Sequence, residues 1–318
     1  MDRLLYPRSL QSLSTLSATS LDQVRRYLNA LQARNYAAGT LDAVLVALKR
    51  LLRSLSASNP NHIIHDFAQV TAADLDSFIE TAKTEGLAPS SINTNLHSLR
   101  GFFEFLREEG DLKAQPVISH RHAVLAPTTL PKPMAEADLI AFFKVIDSVR
   151  DRLIFLLMLR CGLRVSEACA LRWKDLDLSS GSILIINGKG QVDRSVYLAP
   201  DVEQSLKLWQ LQRAKSDYLF PGNGPKFTHL CSRTVRWLMT NYLRQAGITT
   251  PYSPHCLRHT FATELLNAGV TLEVLKELMG HRSLQMTLRY AQLYDSTKRQ
   301  QYDEAMERIA LRQVALRR

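Results

Sequence analysis

The sequence predicts a mainly α-helical chain with one small antiparallel β-sheet, an α+β architecture in two domains. Three observations lead there. Apolar residues recur at helical spacing through most of the chain. The periodicity fails from Gly110 to Pro133, where Pro116, Pro127, Pro131 and Pro133 lie among His120, Arg121 and His122. Past residue 175 the pattern changes to short alternating runs broken by turn residues. A length of 318 residues suits two domains, each able to bury its own core.

Residues 1–16 form a short extension. Ser20 is placed to cap a helix through about Arg34, with Leu21, Val24, Leu28 and Leu31 on one stripe. Thr40 starts a second helix carrying Leu41, Val44, Leu45, Leu48 and Leu52. Thr71 and Asp74 resemble a capping box, with Asp in place of the usual Glu, ahead of Leu75, Phe78 and Ile79. After the break from Gly86 to Pro89, Ser90 opens a fourth helix through Leu96, Leu99, Phe103 and Leu106. Residues 17–110 thus form a compact helical bundle, and 111–134 a linker.

A second globular unit spans 135–290. Leu153 to Leu159, bracketed by Arg152 and Arg160, reads as a core helix, being far shorter than the roughly 20 apolar residues of a membrane span. Strands are expected near 176–178, 182–186 and 195–198, with Asn187-Gly188-Lys189-Gly190 turning between the last two. Residues 291–318 form a charged amphipathic tail suited to docking on another subunit, or else on its own domain. The N-terminus lacks the apolar stretch and cleavage site of a secretory signal, so a cytoplasmic protein is expected.

A formal charge of +10 favours a polyanionic partner, nucleic acid before acidic lipid. In the bundle, Arg25, Arg26, Arg34, Lys49, Arg50, Arg53 and Arg100 could face phosphate; taken singly, each is more readily an ordinary solvated charge. Cys161, Cys169, Cys231 and Cys256 are scattered, which indicates reduced thiols and neither a disulfide framework nor a zinc site.

Three segments carry candidate chemistry. In Cys161-Gly162-Leu163-Arg164-Val165-Ser166-Glu167, Arg164 precedes a helix start expected near Ser166, where free backbone N–H groups favour an anion, and Glu167 could orient it. Alone, this pair is as readily a structural ion pair. In Pro254-His255-Cys256-Leu257-Arg258-His259, His255 and Arg258 project from nearly one face, whereas His259 lies a position further round and reads as a core histidine. No carboxylate or cysteine pair completes a metal site there. In Leu278-Met279-Gly280-His281-Arg282-Ser283, Gly280 ends one helix and Ser283 can cap the next, which carries Tyr290. A straight helix would put His281 and Tyr290 on opposite faces, so the intervening turn decides whether they meet.

The order Arg164, Lys189, His255-x-x-Arg258, His281, Tyr290, carried in CGLRVSEACALRW, INGKGQVDRSVYL, SPHCLRHTFAT and ELMGHRSLQMTLRYA, closely resembles the tyrosine recombinase (integrase) family over 135–295. The resemblance implies a helical core-binding domain and a catalytic domain clamping double-stranded DNA like a C. It implies attack by Tyr290 on a phosphodiester, giving a 3′-phosphotyrosyl link and a free 5′-hydroxyl, with neither ATP nor metal. Arg164, Arg258 and His281 would hold the phosphate, His255 would take the phenolic proton and Lys189 would protonate the leaving oxygen. The family works as a tetramer on two duplexes. Mobilisation or integration of a genetic element is the errand favoured, ahead of Xer-type dimer resolution. The competing classes are a type IB topoisomerase-like relaxing enzyme and a non-catalytic DNA-binding protein. A helix-turn-helix factor leaves Lys189 and Tyr290 unexplained.

Overall fold

The structure, a computed structural model, describes residues 13, 16–58, 66–127, 130–186, 193–212, 215–222 and 228–291, and in the tail 302, 303, 305–307 and 309. Lys189, the turn at 187–190, nearly all of the 1–16 extension and most of the tail lie outside the described residues. The chain divides into two compact units, Met1–Thr128 and Thr129–Arg318.

The first unit is helical: α1 (Ala18–Ala33), α2 (Ala38–Ser58), α3 (Ala72–Thr84), α4 (Pro89–Glu108) and the single turn α5 (Ser119–His122). Helix α2 packs on α3 and α4, and α1 packs on α4. Their apolar stripes close over Val24, Leu48, Leu51, Phe67, Leu75, Phe102, Phe103 and Leu106, all fully buried. Phe67 and Phe102 meet edge to face at 4.8 Å and 75°, the arrangement the ring quadrupoles favour.

The capping box at Thr71 is present: its N–H donates to Asp74 Oδ2 at 2.8 Å, and the Asp74 N–H donates back to Thr71 Oγ1 at 3.4 Å. The first cap differs from expectation. Ser17, with extended backbone, accepts from the Ser20 N–H at 3.1 Å, while the Ser20 hydroxyl is buried and receives the Phe67 N–H at 3.2 Å. Only a residue outside the helix can turn its oxygen onto the free N–H groups, and the helix starts three residues earlier than its stripe suggests. Two further starts also move back, α2 to Ala38 and α4 to Pro89.

The segment expected as a linker is partly laid on this unit. Asn93 brackets the Val124 backbone, donating to its oxygen at 2.7 Å and accepting its N–H at 3.0 Å. The buried His122 accepts the Ile118 N–H at Nδ1 (2.9 Å), with Nε2 at 3.2 Å from the Ala72 carbonyl.

The second unit contains α6 (Glu136–Lys144), α7 (Val149–Arg160), α8 (Val165–Ala170), a sheet of β1 (Leu176–Asp177), β2 (Ser182–Ile185) and β3 (Arg194–Tyr197), then α9 (Pro200–Gln212), α10 (Ser232–Gln245), α11 (Pro254–Asn267), α12 (Leu272–Met279) and α13 (Leu284–Ala291). The strands run antiparallel in the order β1-β2-β3, with Leu176 opposite Ile183 and Ile183 opposite Val196. Ile183, Ile185 and Val196 point into the core, and Leu184 and Tyr197 outward, as a two-residue period requires.

Helix α7 is the axis of this unit. Leu153 to Leu159 are all buried, with α9 and α11 packed on the helix. Its flanking charges reach outward: Arg152 donates to the Phe143 carbonyl at 2.8 Å, and Arg160 bridges Asp201 and Glu264 at 3.0 and 3.3 Å. Among the described residues no helix is long and apolar enough to cross a membrane.

Candidate active site

The site begins where α7 ends. Gly162 takes a left-handed backbone (φ +63°), and a Cβ there would come within 2.4 Å of the Phe261 ring. Glycine alone lets the chain turn this tightly against α11 and present its carbonyl to Arg258. Arg164 follows as the residue preceding α8, which starts at Val165 rather than Ser166. Its N–H and Nη1 both donate to Glu167, at 2.7 Å each, and its Nη2 lies 3.4 Å from the Gly280 carbonyl.

Arg258, on α11, is 1% exposed and donates to the carbonyls of Gly162 and Met279. Its Nη2 lies 3.5 Å from His281 Nε2, and Nη1 lies 3.9 Å from Glu167. Burial first, and then the nearby Arg164, push its pKa down to about 9. A third guanidinium, from Arg194 on β3, grips Glu167 with two bonds of 3.0 and 2.7 Å and donates from Nε to the Leu278 carbonyl at 2.8 Å. Burial pushes the Glu167 carboxyl up, but the bonds and charge of Arg194, joined by Arg164, win and hold it at about 2. One carboxylate is therefore shared by three guanidiniums, which leaves the cluster with surplus positive charge.

Gly280 ends α12 in the left-handed region (φ +60°, ψ 45°), as its position predicts. The reversal brings α13 back beside His281. Thr287 Oγ1 holds His281 Nδ1 at 2.9 Å, and the Tyr290 ring lies parallel to the imidazole, 13° and 6.4 Å apart. Burial, then Arg258 and Arg164, lower the His281 pKa to about 4.

Tyr290 is 4% exposed, and its hydroxyl shares a 2.7 Å hydrogen bond with His259 Nδ1. Burial raises its pKa, opposed by Arg258, Arg289 and Arg164. His259 is itself pushed down to about 4 by burial and then by His255. The His255 ring is exposed and meets the His259 ring at 4.3 Å, edge on; the protein around it, with Arg258, Arg164 and Arg289, lowers its pKa.

The grouping of these histidines differs from expectation. His255 stays at the surface while Arg258 turns into the core, and His259 rather than His255 is the partner of the phenol. Positions four apart on a helix diverge by about 40° and those three apart by about 60°, so His255 and His259 share a stripe more closely than His255 and Arg258. Arg194 escaped sequence reasoning altogether, although it stands in the quoted strand motif. No short-range spacing links a strand residue to a helix start 27 positions earlier.

Among the bundle residues, Arg25, Arg34 and Arg53 are exposed and Lys49 and Arg50 half-buried. Arg26 is committed to Asp22, Glu109 and Asp111, at 3.2, 3.1 and 2.5 Å, which neutralises it locally. Arg100 donates to Ser119 Oγ. Opposite its buried face, α10 exposes Arg233, Arg236, Trp237 and Arg244, a basic surface the sequence reading passed over. No three His, Cys, Asp or Glu side chains gather as a metal site among the described residues.

Comparison with known proteins adds three findings. Residues 133–297 match the phage integrase family and residues 24–110 the phage integrase N-terminal SAM-like domain. Tyrosine recombinase XerA of Pyrococcus furiosus is 35% identical over 76% of this chain and 82% of its own length. Tyrosine recombinase XerC of Xanthomonas campestris pv. campestris is 31% identical over 91% of this chain and 89% of its own. Among solved structures, a lambda integrase(75-356) dimer bound to a COC' core site shares the fold, with a TM-score of 0.69 at 18% identity over 85% of this chain and 94% of that one.

Proposed function

The chain belongs to the phage integrase family of tyrosine recombinases, site-specific DNA recombinases, and on that premise we propose that it cuts and rejoins DNA through a 3′-phosphotyrosyl bond to Tyr290. The observation that carries this reading is the convergence on one turn: Arg164 and Arg258 both donate to backbone carbonyls of Met279–Gly280, His281 follows at once, and Tyr290 stacks on His281. Each terminal guanidinium nitrogen carries two hydrogens, so the bonds already made leave donors for nonbridging phosphate oxygens. Donors held in place by Glu167 and backbone oxygens need no reorganisation as charge grows in the pentavalent transition state, and each is worth about 3 kcal/mol.

The phenol must lose its proton to attack. Its partner His259 is neutral at pH 7 and, with hydrogen on Nε2, accepts that proton at Nδ1; His255 stands next in line to relay it. Lys189 protonates the leaving 5′ oxygen in this scheme. The phosphotyrosyl bond stores the energy of the phosphodiester, so a 5′-hydroxyl from a second duplex reverses the step and exchanges strands. The partner is double-stranded DNA, engaged by the surplus charge of the cluster and by exposed basic residues such as Arg25, Arg34, Arg53, Arg233 and Arg236, with four subunits on two duplexes.

Two labelled duplexes, each carrying a site selected by the protein from genomic DNA, test the reading. Recombinant joint products are expected, and they should vanish in Tyr290→Phe. Relaxation of supercoils without joint products would assign a topoisomerase-like activity instead. Mobilisation of an element and Xer-type dimer resolution use the same chemistry, and the match to XerC across both units favours the second. The selected sites separate them: the ends of a mobile element for one, a single chromosomal locus for the other.

A further inference from the structure

Arg194 takes no part in the scheme above, yet it is among the most enclosed charges in the molecule, its side chain 4% exposed. Each of its contacts falls on something that positions a phosphate ligand. Its two terminal nitrogens grip both oxygens of Glu167, the carboxylate that receives the Arg164 N–H and Nη1. Its Nε bonds the Leu278 carbonyl, two residues before the glycine that reverses the chain into His281. Gly280 is fitted to it: a Cβ there would stand 2.9 Å from Arg194 Cδ and 3.0 Å from Nη1. A planar fork with donors on two edges can hold a carboxylate on one side and a carbonyl on another at fixed separation, which a lysine's single ammonium cannot do.

We propose that Arg194 is a positioning residue for strand cleavage: it ties Glu167 to the Leu278–Gly280 turn and so fixes Arg164 and His281 around one phosphate. The inference rests on the assignment of the phosphate site given above. It accounts for the strand itself. β3 packs on α12, and Arg194 is the strand residue that turns a packing contact into a defined distance between two parts of the site. A purely structural ion pair would need only charge complementarity with Glu167. The bond to the Leu278 carbonyl and the glycine opposite the arginine stem are what a distance-setting role requires in addition.

The test compares the full chain with Arg194→Lys and Arg194→Gln on a nicked duplex carrying the selected site, scoring DNA affinity, covalent complex formation and melting. Arg194→Lys is expected to bind DNA within about threefold of the parent and to form covalent complex about 10- to 100-fold more slowly, the size of effect that a displacement of about 1 Å produces. In Arg194→Gln the acid limb of the cleavage–pH profile should move upward, because Glu167 loses the guanidinium that does most to hold its carboxyl low. A role confined to folding would move melting alone, leaving cleavage per folded molecule and the acid limb where they were, and would overturn the proposal. If the lysine variant melts below assay temperature, cleavage and binding are read below its melting point: slowed cleavage with retained DNA binding supports the role, and cleavage at the parental rate refutes it. Parental protein forming its adduct at Tyr290 while Arg194→Lys cleaves normally would defeat only this inference; an adduct elsewhere in the parent would defeat the site assignment beneath it.

Discussion

His259 and His281 are held near 4 in the folded chain against an ordinary 6.5, by burial first and then by neighbouring imidazole and guanidinium groups. Between those values the unfolded chain binds more protons than the folded one, so stability must fall as pH drops through the window from 6.5 to 4. Glu167, near 2 against an ordinary 4.5, extends the loss below pH 4.5 and favours the folded chain above it by about 3 kcal/mol. The melting temperature should therefore hold between pH 7 and 8 and decline steadily below 6.5. A melting temperature that rose from pH 6.5 to 5 would contradict these environments. Arg164, Arg258, His281 and Tyr290 are legible in the sequence because their three short motifs stand in the order of a family they resemble, whereas the local structure of each alone admits a purely structural role. The bonds that bring them together are less so. Arg194 reaches Glu167 across 27 positions and His259 reaches Tyr290 across 31, distances at which only the tertiary fold decides which side chains meet.

Helices and strands follow the apolar pattern closely, since period and burial are linked by geometry. The bracketed run Leu153 to Leu159 is a buried helix, and the alternation at 182–185 is a strand with one face inward. Leu157→Ala should destabilise the second unit by about 2–5 kcal/mol, the cost of a cavity in a close-packed core, read as a shift in the denaturation midpoint at unchanged slope. Ends of elements are less legible than their interiors. Ser17 and Ser20 both have a capping side chain, and the choice between them depends on Asp66 and Phe67 claiming the hydroxyl of Ser20. Ser17→Ala should cost about 1 kcal/mol through loss of a cap. No comparable loss there would mean that α1 is capped otherwise.

At the scale of the whole chain, the first unit closes its core with residues no later than Val124. A fragment of residues 1–128 should consequently fold alone, with helical circular dichroism and a cooperative melt; a non-cooperative melt would show that its core needs the second unit. The second unit gathers the charged cluster, the turn at Gly280 and the buried phenol, and the proposed strand cleavage depends on that phenol meeting a phosphate. Digestion of the covalent complex trapped on a nicked duplex, followed by mass spectrometry of the nucleotide-bearing peptide, measures that directly. One adduct is expected, on Tyr290, absent from Tyr290→Phe. An adduct on another residue, or none under conditions in which strands are exchanged, would contradict it.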